Sequence, residues 1–275
     1  MRYAICVTNL GTYSDPGVVA RLAAAAEDAG WEGLFIWDHL GFVWDAPACD
    51  PWVALTAAAA STNRLRLGTA VTPVPRRRPH VLATTLASLD ILSKGRAIIG
   101  VGIGGVPREY EAFGENSDAK QRGAMLDEAL AIMDGLWSGE TVTYHGQHYT
   151  VEGVTLKPPP VQRPRVPVWV GGNSGPALRR AARWDGWMPD SADIEKIVMT
   201  PADLSAKLSV LQSHRTSDGP FDVVFMGYST PADGALAQEY AEAGATWWLE
   251  QLHDRRGSYE AMLARVTAGP FPSTK

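Results

Sequence analysis

The chain has 275 residues, 45% hydrophobic and 20% charged, with a net charge of −5 and a pI near 5.7. That balance suits a folded chain with a sizeable core and excludes a chain-wide electrostatic partnership with nucleic acid. Two cysteines, Cys6 and Cys49, set no disulfide framework, and no segment approaches the roughly 20 apolar residues of a membrane span. A soluble cytoplasmic protein with no membrane partner is expected, since the short apolar run after Met1 also falls short of a signal-peptide core.

Short apolar runs alternate with longer amphipathic stretches, the pattern of βα units around a parallel sheet. A strand over residues 3–8 precedes a helix that Pro16 opens and Gly30 closes, with Val19, Leu22, Ala23 and Ala26 at helical spacing. The second strand covers residues 34–37, with Asp38 and His39 at its end and a helix over 50–61. The third unit joins a strand over 65–71 to a helix over 79–92, and the fourth joins 96–102 to a helix over 120–137. Residues 141–151 then read as a β-hairpin turning at His145-Gly146, followed by a Pro-rich return over 157–167. Strands at 168–170, 186–189, 222–226 and 246–249, each with a following helix, complete eight units.

The expected fold is an α/β (β/α)8 barrel, one domain over 1–275 with a hairpin insertion at about 140–166. The alternative, a doubly wound open sheet, calls for a glycine-rich phosphate turn after the first strand, and Thr8-Asn9-Leu10-Gly11-Thr12 lacks it.

In a barrel of this kind chemistry sits at the C-terminal ends of the strands. Those positions supply Thr8 and Asn9, Asp38 and His39, Ala70 to Thr72, the Gly100–Gly105 loop leading to Glu109, then Gly171 to Asn173, Asp190, Tyr228, Glu250 and Gln251. Of the six histidines only His39 is expected at such an end, so a metallohydrolase cluster is not predicted, and no nucleophile elbow follows a strand. An imidazole at that position handles protons near neutral pH; the plain alternative is a histidine bonded to a loop carbonyl. Gly171-Gly172-Asn173, running into a helix, offers amides to a phosphate, or serves only tight geometry. The bare backbone around Gly102 and Gly104 admits a flat ligand or makes a simple turn. Arg76-Arg77-Arg78 is either a solvated face or a contact for an anionic group.

Several stretches, in their order and spacing, resemble the luciferase-like monooxygenase superfamily. They are Asp28 to His39, Arg64 to Pro73, Leu89 to Arg96, Gly100 to Gly104, Leu136 to Gly139, Lys157 to Pro164 and Asp185 to Trp187. The resemblance implies a barrel enzyme that binds FMN or the deazaflavin coenzyme F420 at its mouth. It implies Asp38 and His39 beside the reacting ring, Glu109 as the accompanying carboxylate and Trp44 in the substrate pocket. Ala70, Val71, Thr72, Gly102 and Gly104 would line the cofactor, with a non-proline cis peptide at Ala70-Val71. Gly171, Gly172 and Asn173 would hold its phosphate. The deazaflavin, whose acidic tail suits the arginine run, is the expected cofactor, used for hydride transfer with a small organic substrate. FMN, oxygen and a partner flavin reductase form the alternative, and a flavin binder without turnover the third reading. A homodimer is also implied.

Overall fold

A computed structural model describes residues 1–271. In chain order its elements are β1 (Arg2–Val7), α1 (Pro16–Asp28), β2 (Gly33–Ile36), α2 (Pro51–Ser61), β3 (Arg66–Thr69), β4 (Thr72–Pro73), α3 (Pro79–Leu92), β5 (Ala97–Gly102), α4 (Arg108–Glu111) and α5 (Ala119–Ser138). There follow β6 (Thr141–His145), β7 (Thr150–Thr155), β8 (Val168–Gly171), α6 (Gly175–Ala181), β9 (Gly186–Met188), α7 (Pro201–Gln212), β10 (Asp222–Gly227), α8 (Gly234–Glu242), β11 (Trp247–Leu252) and α9 (Tyr259–Thr267). Helix starts follow capping chemistry. Asp15, Asp50, Asp118 and Ser258 each accept a first-turn amide, and Thr200 with Asp203 forms a capping box.

β1 pairs in parallel with β2 and β11, and the ladder runs on through β3, β5, β8, β9 and β10 back to β11. β3 and β4 both lie on β5 as two pieces of one interrupted strand. The closed barrel therefore has eight positions, the (β/α)8 architecture. Among the described residues no helix is long and apolar enough to cross a membrane.

Strand alternation gathers Ala4, Cys6, Phe35, Ile98, Trp169, Met188, Val224, Trp247 and Leu249 into one buried cluster inside the barrel. Phe35 stacks on Trp169 at 5.0 Å between centroids, and Trp169 meets Trp247 at 5.5 Å. Gly186 makes this possible, because a Cβ there would lie 2.4 Å from the Trp169 ring. The plug fills the barrel and leaves ligand chemistry to the C-terminal rim.

Several of the resembling motifs hold the scaffold together. Buried Glu27 accepts the amides of Asn63, Arg64 and Leu65. Arg96 donates to the carbonyls of Ala59, Thr62 and Leu65, closing the end of α2. Asp90 accepts the amides of Val161 and Gln162, which fastens the Pro-rich return to α3.

Three sequence expectations change. The third strand, expected as continuous over 65–71, breaks at Ala70-Val71, where the non-proline peptide bond is cis as the resemblance implies. The hairpin turn is not His145-Gly146: β6 extends through His145 and β7 starts at Thr150, because Glu128 of α5 accepts the amides of Gln147, His148 and Tyr149 and holds them out of the ladder. The last strand continues to Leu252, so Glu250 lies within it. Glu250 belongs not to the mouth but to a buried cluster with Ser229, Trp248, Arg256 and Arg265.

Candidate active site

β2 delivers Asp38 and His39 to the rim with opposite fates, as alternation requires. Asp38 is 3% exposed, and its carboxylate accepts from Arg76 at 3.0 Å and from Arg77 at 2.9 Å. It is an anchor for two arginines. His39 keeps a quarter of its side chain exposed, and its Nδ1 lies 2.9 Å from Oε1 of the fully buried Glu109. Asn9 fixes the backbone there: its amide group donates to the carbonyls of His39 and Cys49, while its oxygen accepts the His39 N–H.

Glu109 sits on the single turn α4, within a stretch expected as a loop. Its carboxylate also accepts the Leu40 amide at 2.8 Å and an Arg76 N–H at 2.9 Å. Burial pushes its pKa up, but the hydrogen bonds from His39 and Leu40 and the Arg76 charge outweigh burial and hold it below the usual carboxylate range. An ionised carboxylate only accepts, so Nδ1 of His39 carries the hydrogen. Nε2, with no partner among the described residues, is the nitrogen left to take or give a proton.

Arg76 therefore ties Asp38 to Glu109, and Arg77 ties Asp38 to Asp50. Two of the three consecutive arginines are held inward, and Arg78 alone is exposed. Two tryptophans, Trp37 and Trp44, meet His39, at 5.8 and 5.0 Å between centroids. Trp31 is buried against the Val266 carbonyl and Trp52 lies buried in α2.

Across β4, β5 and β8 the rim is nearly bare backbone. Val71 lies against three glycines: a Cβ on Gly102 would come within 2.8 Å of its side chain, and on Gly171 within 3.1 Å. At Gly100 a Cβ would meet the Thr69 carbonyl at 2.1 Å. The result is a low apolar bench with Val71 partly exposed on it. Ala70 is 8% exposed beside it. Thr72 is fully buried and its hydroxyl has no partner, so a ligand on the bench meets it only if the chain moves. Gly104 has a separate explanation. Its φ is +82°, and a Cβ would press on the Tyr110 hydroxyl at 2.6 Å, so local packing requires it.

The expected phosphate loop is only partly free. The Gly172 amide donates to the Met188 carbonyl, and the Asn173 side chain is engaged in both directions by the backbone of Asp190. The amides of Asn173 and Ser174 have no protein acceptor among the described residues. They are the donors available to an anion.

Sequence reading named Tyr228 and Gln251 of the opposite wall but missed its histidine. Because β11 runs three residues longer, His253 follows its end and is a second histidine at the catalytic rim. It is 4% exposed, 6.3 Å from Trp37 between centroids, with Nε2 3.0 Å from the Tyr228 hydroxyl. That hydroxyl donates to the Asp193 carbonyl, so Nε2–H donates to it and Nδ1 is the acceptor left without a partner. Burial, then Arg256 and Arg255, lower the His253 pKa, and burial raises that of Tyr228. Gln251, 2% exposed, adds an unpartnered Oε1 on the same wall.

The chain matches the family model described as luciferase-like monooxygenase over residues 3–272. It belongs to that family. An F420-dependent glucose-6-phosphate dehydrogenase of Gordonia bronchialis is 34% identical over 260 residues, covering 90% of this chain and 75% of that protein. The uncharacterized protein Rv0940c of Mycobacterium tuberculosis is 31% identical over 220 residues, 74% of each chain. Against three other dehydrogenases named as the Gordonia one is, the chain spans about half the relative's length, 47 to 50%. The F420-dependent tetrahydromethanopterin reductase of Methanopyrus kandleri shares the fold, with a TM-score of 0.78 at 18% identity over 100% of this chain and 99% of that one. Members of the luciferase-like family are flavin- or deazaflavin-dependent oxidoreductases, and this chain is one by descent.

Proposed function

We propose that the protein is an oxidoreductase that uses coenzyme F420 for hydride transfer to or from a small organic substrate, with His39 moving the accompanying proton. The observation that carries this reading is the His39–Glu109 pair. The carboxylate fixes the imidazole and its tautomer, leaving Nε2 free at a rim that is flat and apolar on its other side. The F420-dependent relatives support the cofactor. The bench of Val71 with Gly100, Gly102 and Gly171 fits a planar ring, since any Cβ there would collide with its neighbours and none stands above the backbone. The free amides of Asn173 and Ser174 suit a phosphate, and Ala70 flanks the ring's seat.

When bound, the deazaflavin supplies a two-electron hydride acceptor or donor. The chain's own residues do the rest. Nε2 of His39 takes the hydroxyl proton as an alcohol becomes a carbonyl, or returns it in the reverse direction. Glu109 stabilises the imidazolium formed on the way, and Arg76 with Asp38 keeps that carboxylate ionised and in place. Trp44 packs on the outer side of His39, where it borders the substrate.

FMN is the rival cofactor, because the family's own description is that of a monooxygenase and the bench suits either ring. That reading adds oxygen and a partner flavin reductase; an intact site without turnover is the third. Titration of purified protein with F420 and with FMN, followed by fluorescence quenching, separates them. Tighter F420 binding with oxygen-independent alcohol oxidation is expected. Tighter FMN binding with oxygen uptake on adding reduced FMN would replace this proposal.

A further inference from the structure

Away from the bench, from β9 round to β2, the rim is built from side chains, and strand alternation says which of them face inward. Met188, Leu249 and Phe35 belong to the cluster inside the barrel, and Met226 packs against it. Two residues further toward the rim come Asp190, Gln251, Trp37 and Tyr228 in turn. The Asn173 side chain, bonded to the N–H and the carbonyl of Asp190, keeps that segment in line with β8. The Ser191 hydroxyl, bonded to the N–H and the carbonyl of Met226, holds it against β10. In the closed ladder β9 and β2 are four positions apart, so Asp190 and His39 face one another across the mouth.

Asp190 differs from the other strand-end carboxylates. Asp38 is held by Arg76 and Arg77, Glu109 by His39, Leu40 and Arg76, and Glu250 by Arg256 and Arg265. The Asp190 carboxylate has no donor and no ion pair among the described residues, since only its backbone is engaged. It is exposed, yet burial alone raises its pKa, which is the behaviour of a carboxylate open to solvent inside a recess.

Its surroundings add acceptors. On the same wall Nδ1 of His253 and Oε1 of Gln251, side chains 4% and 2% exposed, both lack a donor. Closed to solvent, they act on a ligand through their potential rather than by contact. Tyr228 spends its hydroxyl hydrogen on the Asp193 carbonyl. Arg256 is committed to Glu250 and to the carbonyls of Gln251 and Ser229. Between residues 190 and 196 the carboxylates of Asp190, Asp193 and Glu195 stand against Lys196 alone. The wall is therefore poor in donors and negative, the reverse of a phosphate site.

We infer that Asp190 is a specificity-determining residue whose carboxylate receives a hydroxyl or ammonium group of the substrate, so that the enzyme selects polyols or amino alcohols and turns phosphate esters away. The inference deepens the function proposed above and rests on it for the reaction. With the reacting carbinol at Nε2 of His39, the far end of the substrate reaches Asp190 across the mouth. A site built to bond such a group discriminates against the analogue lacking it, because its own polar atom is then left unpaired. A phosphate in the same place meets like charge.

The test uses the full chain. The probes are cyclohexanol and three derivatives that carry a hydroxyl, an amine or a phosphate ester on the opposite ring carbon. With F420 bound, kcat/KM for the diol and the amino alcohol is expected to exceed that for cyclohexanol about tenfold, through KM, with the phosphate ester poorest. Asp190→Asn, an isosteric change on an exposed side chain, is expected to cut the amine-to-cyclohexanol ratio about tenfold and the diol ratio by less. Asp190→Lys is expected to favour the phosphate ester. Binding of the same probes is read independently of turnover, by saturation-transfer NMR on the protein without cofactor. Equal values for diol, amino alcohol and cyclohexanol, or a preference that Asp190→Asn leaves intact, overturn the assignment. A weakened F420 Kd in Asp190→Asn with the preference unchanged also overturns it, by giving the carboxylate to the cofactor. Probe binding that depends on Asp190, without F420 turnover, would remove the function proposed above and leave the residue's role standing. Turnover without the preference does the reverse.

Discussion

Two imidazoles flank Trp37 at the rim, His39 at 5.8 Å and His253 at 6.3 Å, and their surroundings are electrostatic opposites. His39 bonds an ionised carboxylate that two further donors hold in place. His253 bonds a phenol, deeper in the protein, with Arg255 and Arg256 nearby. The second environment favours the neutral ring. On the function proposed above, the same residue type serves as proton carrier on one wall and as a hydrogen-bonding group on the other. The environment assigns the role.

The largest effect to be expected from breaking that contrast is at His39. His39→Ala should lower kcat by ~10²-fold or more with little change in cofactor Kd, read by steady-state kinetics beside a binding titration. Unchanged turnover would move the proton chemistry elsewhere. Glu109→Gln comes next, with a loss in kcat of ~10-fold to 10²-fold, because the tautomer and the imidazolium lose their support. It should also change stability against pH. A carboxylate whose pKa is lowered on folding contributes stability that is present above its unfolded value, near 4.5, and lost as pH falls through the folded one. Thermal melts from pH 6 downward should therefore fall less steeply below about 4.5 in Glu109→Gln than in the wild type. Parallel curves would deny the shift.

The contrast between walls also marks what the sequence could disclose. His39 was legible because a strand end in a βα repeat lies at the rim, and the count of eight units fixes which end that is. Asn9 stands out as a strand-end residue, and Asp90 and Arg96 as motif residues, yet their work is to fasten loops and helix ends, which no spacing reveals. His253 was hidden by a strand three residues longer than its apolar pattern. Glu250 read as a strand-end polar, whereas its partners, Arg256 and Arg265, come from the segments that follow. Glu109 was placed by resemblance, and its short helix was not visible. Gly102 and Gly104 looked alike in the sequence. Only their neighbours, Val71 for one and Tyr110 for the other, separate a bench from a packing requirement.

The bench supplies the intermediate effect. Gly102→Ala puts a methyl 2.8 Å from Val71, which must yield, so ring binding should weaken by ~10-fold, with a modest loss of Tm. Gly172→Val tests a different property, since its φ of +109° strains any side chain while the nearest atom, on Ala177, is 3.3 Å away. It should weaken F420 and FMN more than the phosphate-free fragment of either, by calorimetry. Equal losses would mean the loop shapes the backbone and binds no phosphate.

The smallest effect is expected on the second imidazole. Tyr228→Phe removes the hydroxyl that joins Nε2 of His253 to the Asp193 carbonyl, without touching the His39 pair. If His253 only orients a polar group of the substrate, KM should rise ~2-fold to 5-fold while kcat and its pH profile stay put. Stability should register the same change. A histidine whose pKa is lowered on folding contributes stability that is present above its unfolded value, near 6.5, and lost as pH falls through the folded one. His253→Asn, which cannot titrate, should flatten that decline just below pH 6.5, a window separate from the Glu109 one below about 4.5. A shift in the kcat–pH profile of Tyr228→Phe, with KM unchanged, would mean that the two imidazoles share the proton and that the division between the walls is wrong.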